Sequence, residues 1–569
     1  MSQHTAKSFP KRVLVTATPP TPNVDLHVGH LSGPFLGADI YCQYLRLRGI
    51  ECAYLTGTDD HQSYTTFKGE QLGWTAAQVA DHFGDAMLST LEAAEIHPDI
   101  YVRPRRSELH IPFVQEFFNK LYSSGKLLLK KAPSLFCRKC ERYVFEAFVS
   151  GKCPHCLSGS GGNACEDCGQ PNDCVDLVDP ICKTCGSRPE IISLERIYFP
   201  LKPYEESLRA YYESANMSPH LRALCERMLA HGLPEIALTH HTNWGIPVPL
   251  SGFEDQRLYV WFEMAPGFLA ATQELTEKLR RCTGWTDYWK NDESSIVQFF
   301  GFDNGYFFAV LFPALLLAYD PDIKPAGSFV TNEFYRLDGL KFSTSRNHAI
   351  WGRELLGEST PDAVRFYAAY TNPEREQSNF TREDFYATLR REPAGPWQRW
   401  LEELGEKTKK YCENRVPPMT ALEQEQQRFS EALRELVEQA EIAYAAETFS
   451  PQLATRACCE IVRLARRFGK SEDHWDAVPG RAERRATSIA LELLAAKVLA
   501  VIASPVMPGF AAKLWSSLGY QSPISRSQWD SILNAVPAGT ELCGLEALTF
   551  ETSQERVRKH YSTVSSKSG

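Results

Sequence analysis

The chain has 569 residues, a formal net charge of −9 and 43% hydrophobic residues. That length sets three or four domains as the expectation, with enough apolar content for ordinary globular cores. No run of about 18 uncharged apolar residues suggests a bilayer span, and the opening MSQHTAKSFPKR has no apolar signal region. The mild acidity disfavours non-specific nucleic-acid binding, so a cytoplasmic protein without membrane contact is expected.

The first strand-like run is Arg12-Val13-Leu14-Val15-Thr16, followed by the breaker-rich TPPTPNVDL and a helix-spaced stretch, GHLSGPFLGADIYCQYLRLRG. At the joint stands His27-Val28-Gly29-His30. Two imidazoles three residues apart share one face of a first helical turn, where backbone N–H groups and the helix dipole favour an anion. Gly29 lets a flat ring or a phosphate approach the backbone. The pattern describes a seat for a nucleotide triphosphate, with histidines stabilising charge on the transferring phosphate. Two surface histidines at a helix start would look the same in isolation. The distinction comes from the partner near residue 341.

A second strand, Glu51 to Thr56, ends in Gly57-Thr58-Asp59-Asp60-His61. Polar residues just past a parallel strand line the ligand crevice of open α/β sheets. Asp59 suits a substrate ammonium group, and the same residues also suit a helix N-cap before FKGEQLGW. Residues 70 to 130 read as helices. Next come four CxxC pairs: Cys137/Cys140, Cys153/Cys156, Cys165/Cys168 and Cys182/Cys185. Each pair presents two thiolates, and two pairs complete a tetrahedral zinc site of the structural kind. Two sites follow. Either Cys153, Cys156, Cys165 and Cys168 share one zinc and the outer four the other, or the pairs combine sequentially. Cys174 is left over.

Aromatic residues are dense from 236 to 330, including Trp261, Phe268 and the run IVQFFGFDNGYFF. Most belong to the core. Asp303 follows a strand-like run and suits ribose hydroxyls, or an Asn304-Gly305 turn. Lys341 and the hydroxyls after it, Leu340-Lys341-Phe342-Ser343-Thr344-Ser345-Arg346, suit a polyphosphate on a mobile loop. From 385 to 520 helix-period apolar positions predict a helical bundle, and residues 555–569 a frayed tail.

Taken in order, the paired histidines, the four-CxxC insert, GTDDH, YVWFEMAPGF, GFDNGYFF and KFSTS resemble the class I methionyl-tRNA synthetase family over almost the whole chain. The resemblance implies an α/β fold: a Rossmann-type catalytic core, an inserted zinc-knuckle domain and a C-terminal α-helical bundle. Its divisions would be 1–118 and 236–330 for the core halves, 119–235 for the insert, 331–384 for a stem-contact region, 385–554 for an anticodon-binding-like helical domain and 555–569 for the tail. It implies attack of an amino-acid carboxylate on the α-phosphate of ATP, supplied with Mg, and the nested arrangement of two structural zinc sites. By position, His27, Gly29 and His30 would contact ATP phosphates, Lys341 and Ser343 the pyrophosphate side, and Asp303 the ribose. Asp59 would take the substrate amino group. Thr21, Trp261, Met264, Phe268, Asn304 and Phe308 would line the side-chain pocket.

Departures from the family pattern accompany the likeness. Thr344 stands where the family loop has a second lysine, and Phe302 where a lysine often precedes the ribose-binding aspartate. Each missing cationic contact is worth on the order of 1–3 kcal/mol. Phe268 and Phe308 replace a tyrosine and a histidine of the side-chain pocket, Met264 a small residue, Thr21 a tyrosine and Asn304 an aliphatic. Arg399 and Glu403 fall at about the positions of the anticodon-reading Asn and Arg, and Trp475 near a later Trp. A carboxylate facing a phosphate-rich partner repels it. These departures favour a ligase that passes its amino acid to a small hydroxylamine, as in hydrazine-type specialised metabolism, with a cupin protein as a possible partner. The alternative is a divergent methionine–tRNA ligase charging tRNA(Met). A third reading is a zinc-stabilised binding protein with a dead nucleotide site.

Overall fold

A computed structural model describes residues 10–280, 284–342, 348–475, 478–524 and 528–545. From the N-terminus, β1 (Arg12–Ala17), a single helical turn Val28–His30 and α1 (Leu36–Leu47) lead to β2 (Glu51–Gly57) and β3 (Ile100–Val102). Then follow α2 (His110–Ser123), β4 (Leu128–Cys137), β5 (Glu190–Pro200), α3 (Val260–Leu279), β6 (Ser294–Gly301), α4 (Phe312–Tyr319) and β7 (Ser328–Asn332). The short strands β8 (Tyr335–Leu337) and β9 (Leu340–Lys341) precede α5 (Pro361–Tyr370), α6 (Gln398–Cys412), α7 (Gln424–Tyr444), α8 (Pro451–Glu472) and α9 (Ala482–Ala503).

The chain divides into two compact units, each assembled from separated segments. The first comprises Met1–Asp25, Ala53–Thr90 and His97–Glu333; the second comprises Leu26–Cys52, Leu91–Ile96 and Phe334–Gly569.

The first unit is built on a five-stranded sheet in the order β7-β6-β1-β2-β3. β1 runs parallel to β6, β6 to β7, and β2 to β3. The strands are near-continuous apolar runs, VLVTA and IVQFF, because helices cover both faces of such a sheet. Leu14, Leu55, Phe117, Phe262 and Phe300 belong to its core. The insert hangs on an antiparallel pair, β4 with β5, whose register runs from Phe136 opposite Glu190 to Leu128 opposite Tyr198.

The second unit is mostly helical, with a small three-stranded sheet that includes β8 and β9. Its central helix, α9, is buried along nearly its whole length, and Glu492 within it accepts from the Trp400 indole at 3.1 Å and the Lys407 ammonium at 3.2 Å. Gly469 of α8 permits that packing, since a Cβ there would stand 2.7 Å from the Glu492 carboxylate. Arg365 of α5, 1% exposed, ties the unit's segments together. It pairs with Asp39 of α1 at 2.6 Å and donates to the carbonyls of Ala94, Glu95, Pro505 and Val506.

Local departures from the sequence expectation have physical causes. The helix expected after His30 is interrupted by a five-residue π-helical segment, Leu31–Phe35, because Pro34 cannot donate to the ladder and its ring clashes with the preceding turn. Residue 62, not Asp59 or His61, caps the helix Ser63–Leu72. Lys341 lies in strand β9, paired with Arg336 of β8 across a turn in which Asp338 and Gly339 both adopt positive φ, rather than in an open loop. Ser343, Thr344 and the 555–569 tail lie outside the described residues. Two helical stretches, Phe302–Tyr319 and Ala482–Ala503, are long and apolar enough to cross a membrane by composition, and 78% and 94% of them is buried inside the protein.

Candidate active site

In the second unit His27 caps the turn Val28–His30, and the two imidazoles bond reciprocally. The His30 backbone N–H donates to His27 Nδ1, and the His27 backbone N–H to His30 Nδ1, each at 3.3 Å. A ring nitrogen that accepts carries no proton, so the hydrogen of each neutral ring sits on Nε2. The rings stack with centroids 3.7 Å apart, and Phe342 lies on His27 at 4.5 Å. Desolvation holds His27 well below the usual imidazole range and brings His30 down to about 4. At neutral pH the pair therefore offers two Nε2–H donors and no formal charge. A Cβ at Gly29 would meet the His27 ring at 3.0 Å and Phe342 at 3.4 Å, which explains the glycine. The segment is pinned by Val28 N–H to the Ile350 carbonyl and by Gly352 N–H to the Leu26 carbonyl. Lys341 is exposed one residue before Phe342, its ammonium 4.5 Å from the Phe334 ring.

In the first unit Asp59 sits just past the end of β2, 5% exposed, its N–H bonded to the Pro20 carbonyl. It opens into a cavity of about 410 Å³ whose walls include Met264, Phe268, His110 and Glu263. Burial, then the charge of Glu263, pushes the Asp59 carboxyl well above the usual carboxylate range. A cation brought to Asp59 would restore its ionisation. Glu263 was not among the residues the sequence singled out. Its Oε1 accepts from His61 Nδ1 and from His110 Nε2, both at 2.8 Å. The two imidazoles outweigh burial and hold Glu263 down to about 2. The sequence signal was faint: a lone acidic residue in the apolar run VWFEMAPGFLAA.

The other pocket candidates fall elsewhere in this unit. Phe308 packs on Phe300 at 4.4 Å and lies 5.9 Å from Phe268, the two lining a second cavity of about 250 Å³. Trp261 stacks on Phe307 at 3.6 Å, half-buried. Thr21 accepts from the Asn23 N–H in the loop after β1. Asp303 and Asn304 stand in the 3₁₀ turn Phe302–Asn304, and His220 stacks on Phe302 at 3.5 Å.

The eight CxxC cysteines gather in the nested arrangement, with Cys137, Cys140, Cys182 and Cys185 in one group and Cys153, Cys156, Cys165 and Cys168 in the other. Sulfur–sulfur distances of 3.4 Å (Cys137–Cys185), 3.9 Å (Cys140–Cys182), 3.8 Å (Cys153–Cys168) and 3.6 Å (Cys156–Cys165) exceed a disulfide bond. They match the ~3.8 Å edge of a tetrahedron with ~2.3 Å zinc–sulfur bonds. The donor sets fit two structural zinc ions. Cys174 stands apart, its Sγ 3.6 Å from the Gly161 carbonyl.

In the second unit Arg399 and Glu403 are exposed four residues apart on α6. The Trp475 ring lies under the guanidinium groups of Arg481 and Arg484, at 4.9 and 4.7 Å.

A family model for tRNA synthetases class I (M) matches residues 13–398. A methionine–tRNA ligase of Porphyromonas gingivalis is 31% identical over 554 residues, covering 96% of this chain and 80% of that protein. One of Pyrobaculum calidifontis is 30% identical, covering 94% and 93%. Among solved structures, Mycobacterium tuberculosis methionyl-tRNA synthetase bound by methionyl-adenylate superposes with a TM-score of 0.77 at 19% identity, over 94% of this chain and 98% of that one. Its apo form gives a TM-score of 0.71.

Proposed function

Because the chain belongs to the class I methionyl-tRNA synthetase family, an ATP-dependent ligase family whose reaction forms an aminoacyl-adenylate, we propose that it activates methionine and transfers it to tRNA(Met). The observation that carries this is the pair of neutral, mutually capped imidazoles at His27 and His30, whose Nε2–H groups suit a phosphate. The amino-acid carboxylate attacks the α-phosphorus, and the bond to the bridging oxygen of pyrophosphate breaks. His27 and His30 donate to phosphate oxygens as negative charge builds there, and Gly29 keeps the backbone accessible. Lys341, with Ser343, takes the pyrophosphate side, and Asp303 the ribose. Asp59 takes the ammonium group, and Met264 and Phe268, which line the same cavity, enclose the side chain; Phe308, Trp261, Thr21 and Asn304 are not among the residues lining that cavity. Magnesium comes with the ATP. Zinc at the two cysteine groups would brace the insert and take no part in the chemistry.

The expectation of a small hydroxylamine acceptor with a cupin partner finds no support in the relatives, which are named methionine–tRNA ligases over 80–93% of their length. ATP–pyrophosphate exchange across the common amino acids, followed by acylation of bulk tRNA with labelled methionine, tests the reading. Methionine-dependent exchange with charging of tRNA(Met) is expected. Exchange without charging would remove tRNA as the acceptor, and no exchange with any amino acid would remove the adenylation itself.

A further inference from the structure

The Asp59 cavity is lined by a second acid. Glu263 lines it too and is 3% exposed. Both hydrogen bonds to Glu263 fall on Oε1, while Oε2 is buried and has no hydrogen-bond partner among the described residues. A buried carboxylate oxygen without a donor is costly, so its persistence points to a ligand that completes it. Beside Thr56, Thr58 and His110 the remaining walls, such as Pro19, Leu55, Val102, Val260 and Phe268, are apolar, and no lysine or arginine lines the cavity among the described residues. Two acids thus face a largely apolar chamber, and the imidazoles bonded to Glu263, those of His61 and His110, both sit on Oε1.

We propose that Glu263 is a second anionic contact for the substrate's α-ammonium group, which it shares with Asp59. This rests on the adenylation reading above. An ammonium carries three N–H donors, and two carboxylates on different elements hold it in one orientation where a single flexible acid would not. His61 and His110 act as positioning residues: each fixes Oε1 and so leaves Oε2 for the ligand. Gly267, one turn along α3, supports the arrangement, because a Cβ there would stand 2.8 Å from His110 Cε1.

The test uses the full-length enzyme and the variant Glu263→Gln, which keeps the shape and removes the charge. In ATP–pyrophosphate exchange the KM for L-methionine should rise about tenfold or more, as expected for a lost charge-assisted bond, while the KM for ATP stays within about twofold. The preference for methionine over its α-hydroxy analogue as a ligand should shrink, and Glu263→Asp should restore part of it. An unchanged methionine KM overturns the proposal. So does a joint rise of both KM values with the amine preference intact, which marks a purely structural residue. If Glu263→Gln does not fold, His61→Gln removes one positioning donor and should raise the methionine KM alone; no change there overturns the proposal. If the wild-type chain exchanges with no amino acid, the adenylation reading fails separately. Calorimetry with methioninol on wild type and Glu263→Gln then reads the amine site, and equal affinities overturn it.

Discussion

His27 and His30 have ring protons whose location follows from the backbone alone. Each Nδ1 is occupied by the other residue's N–H, so replacing either ring also releases its partner. His30→Ala should lower the exchange rate about 10²–10³-fold, the loss typical of a donor to developing charge, with little change in the methionine KM. The same burial has a consequence for stability. His30 titrates near 4 when folded, while an unfolded imidazole titrates near ~6.5. Between those values the unfolded chain binds the proton first, so stability falls as pH drops from about 6.5 towards 4. Denaturant titrations across that window should show the decline, and His30→Asn should make it shallower, the remainder including His27, which burial also holds well below the usual range. An equal slope in the variant would show that His30 is not the group responsible.

At the scale of elements, legibility followed how local each signal was. The strand–loop–helix that carries the histidines was readable because its punctuation lies within about twenty residues, and the four cysteine knuckles because each is a self-contained spacing. The π-helical segment at Leu31–Phe35 was readable in principle from Pro34, yet helix periodicity masked it. The Glu263 constellation was not legible, since its partners lie 202 and 153 residues away along the chain. Gly267 records that constellation within α3. Gly→Ala inside a helix normally stabilises by about 1 kcal/mol. Here the new Cβ would press on a buried ring held by Glu263, and overpacking costs about 1–3 kcal/mol, so thermal unfolding of Gly267→Ala should show no stabilisation and a net loss of up to about 2 kcal/mol. In the insert, metal analysis of the purified chain should find two zinc ions, and Cys165→Ser should leave one. Retention of two would mean that the four-thiol groups are not the binding units.

For the whole molecule, the composition of the two units sets what holds them. The second unit draws on three separated stretches of chain, Leu26–Cys52, Leu91–Ile96 and Phe334–Gly569, and Arg365 bonds to groups in all three. Removing the guanidinium strands Asp39, which is 1% exposed, as an uncompensated buried charge. Arg365→Met should therefore lower stability by about 3–5 kcal/mol, read as a shift in the denaturation midpoint, and a loss under ~1 kcal/mol would show that the stretches are held by other contacts. Four of the five groups that Arg365 grips are main-chain carbonyls. A carbonyl is the same chemical object under any side chain, so this latch recognises the path of the chain and not its spelling. Sequence drift at Glu95 or Pro505 would leave it closed, while a single exchange at residue 365 would open it.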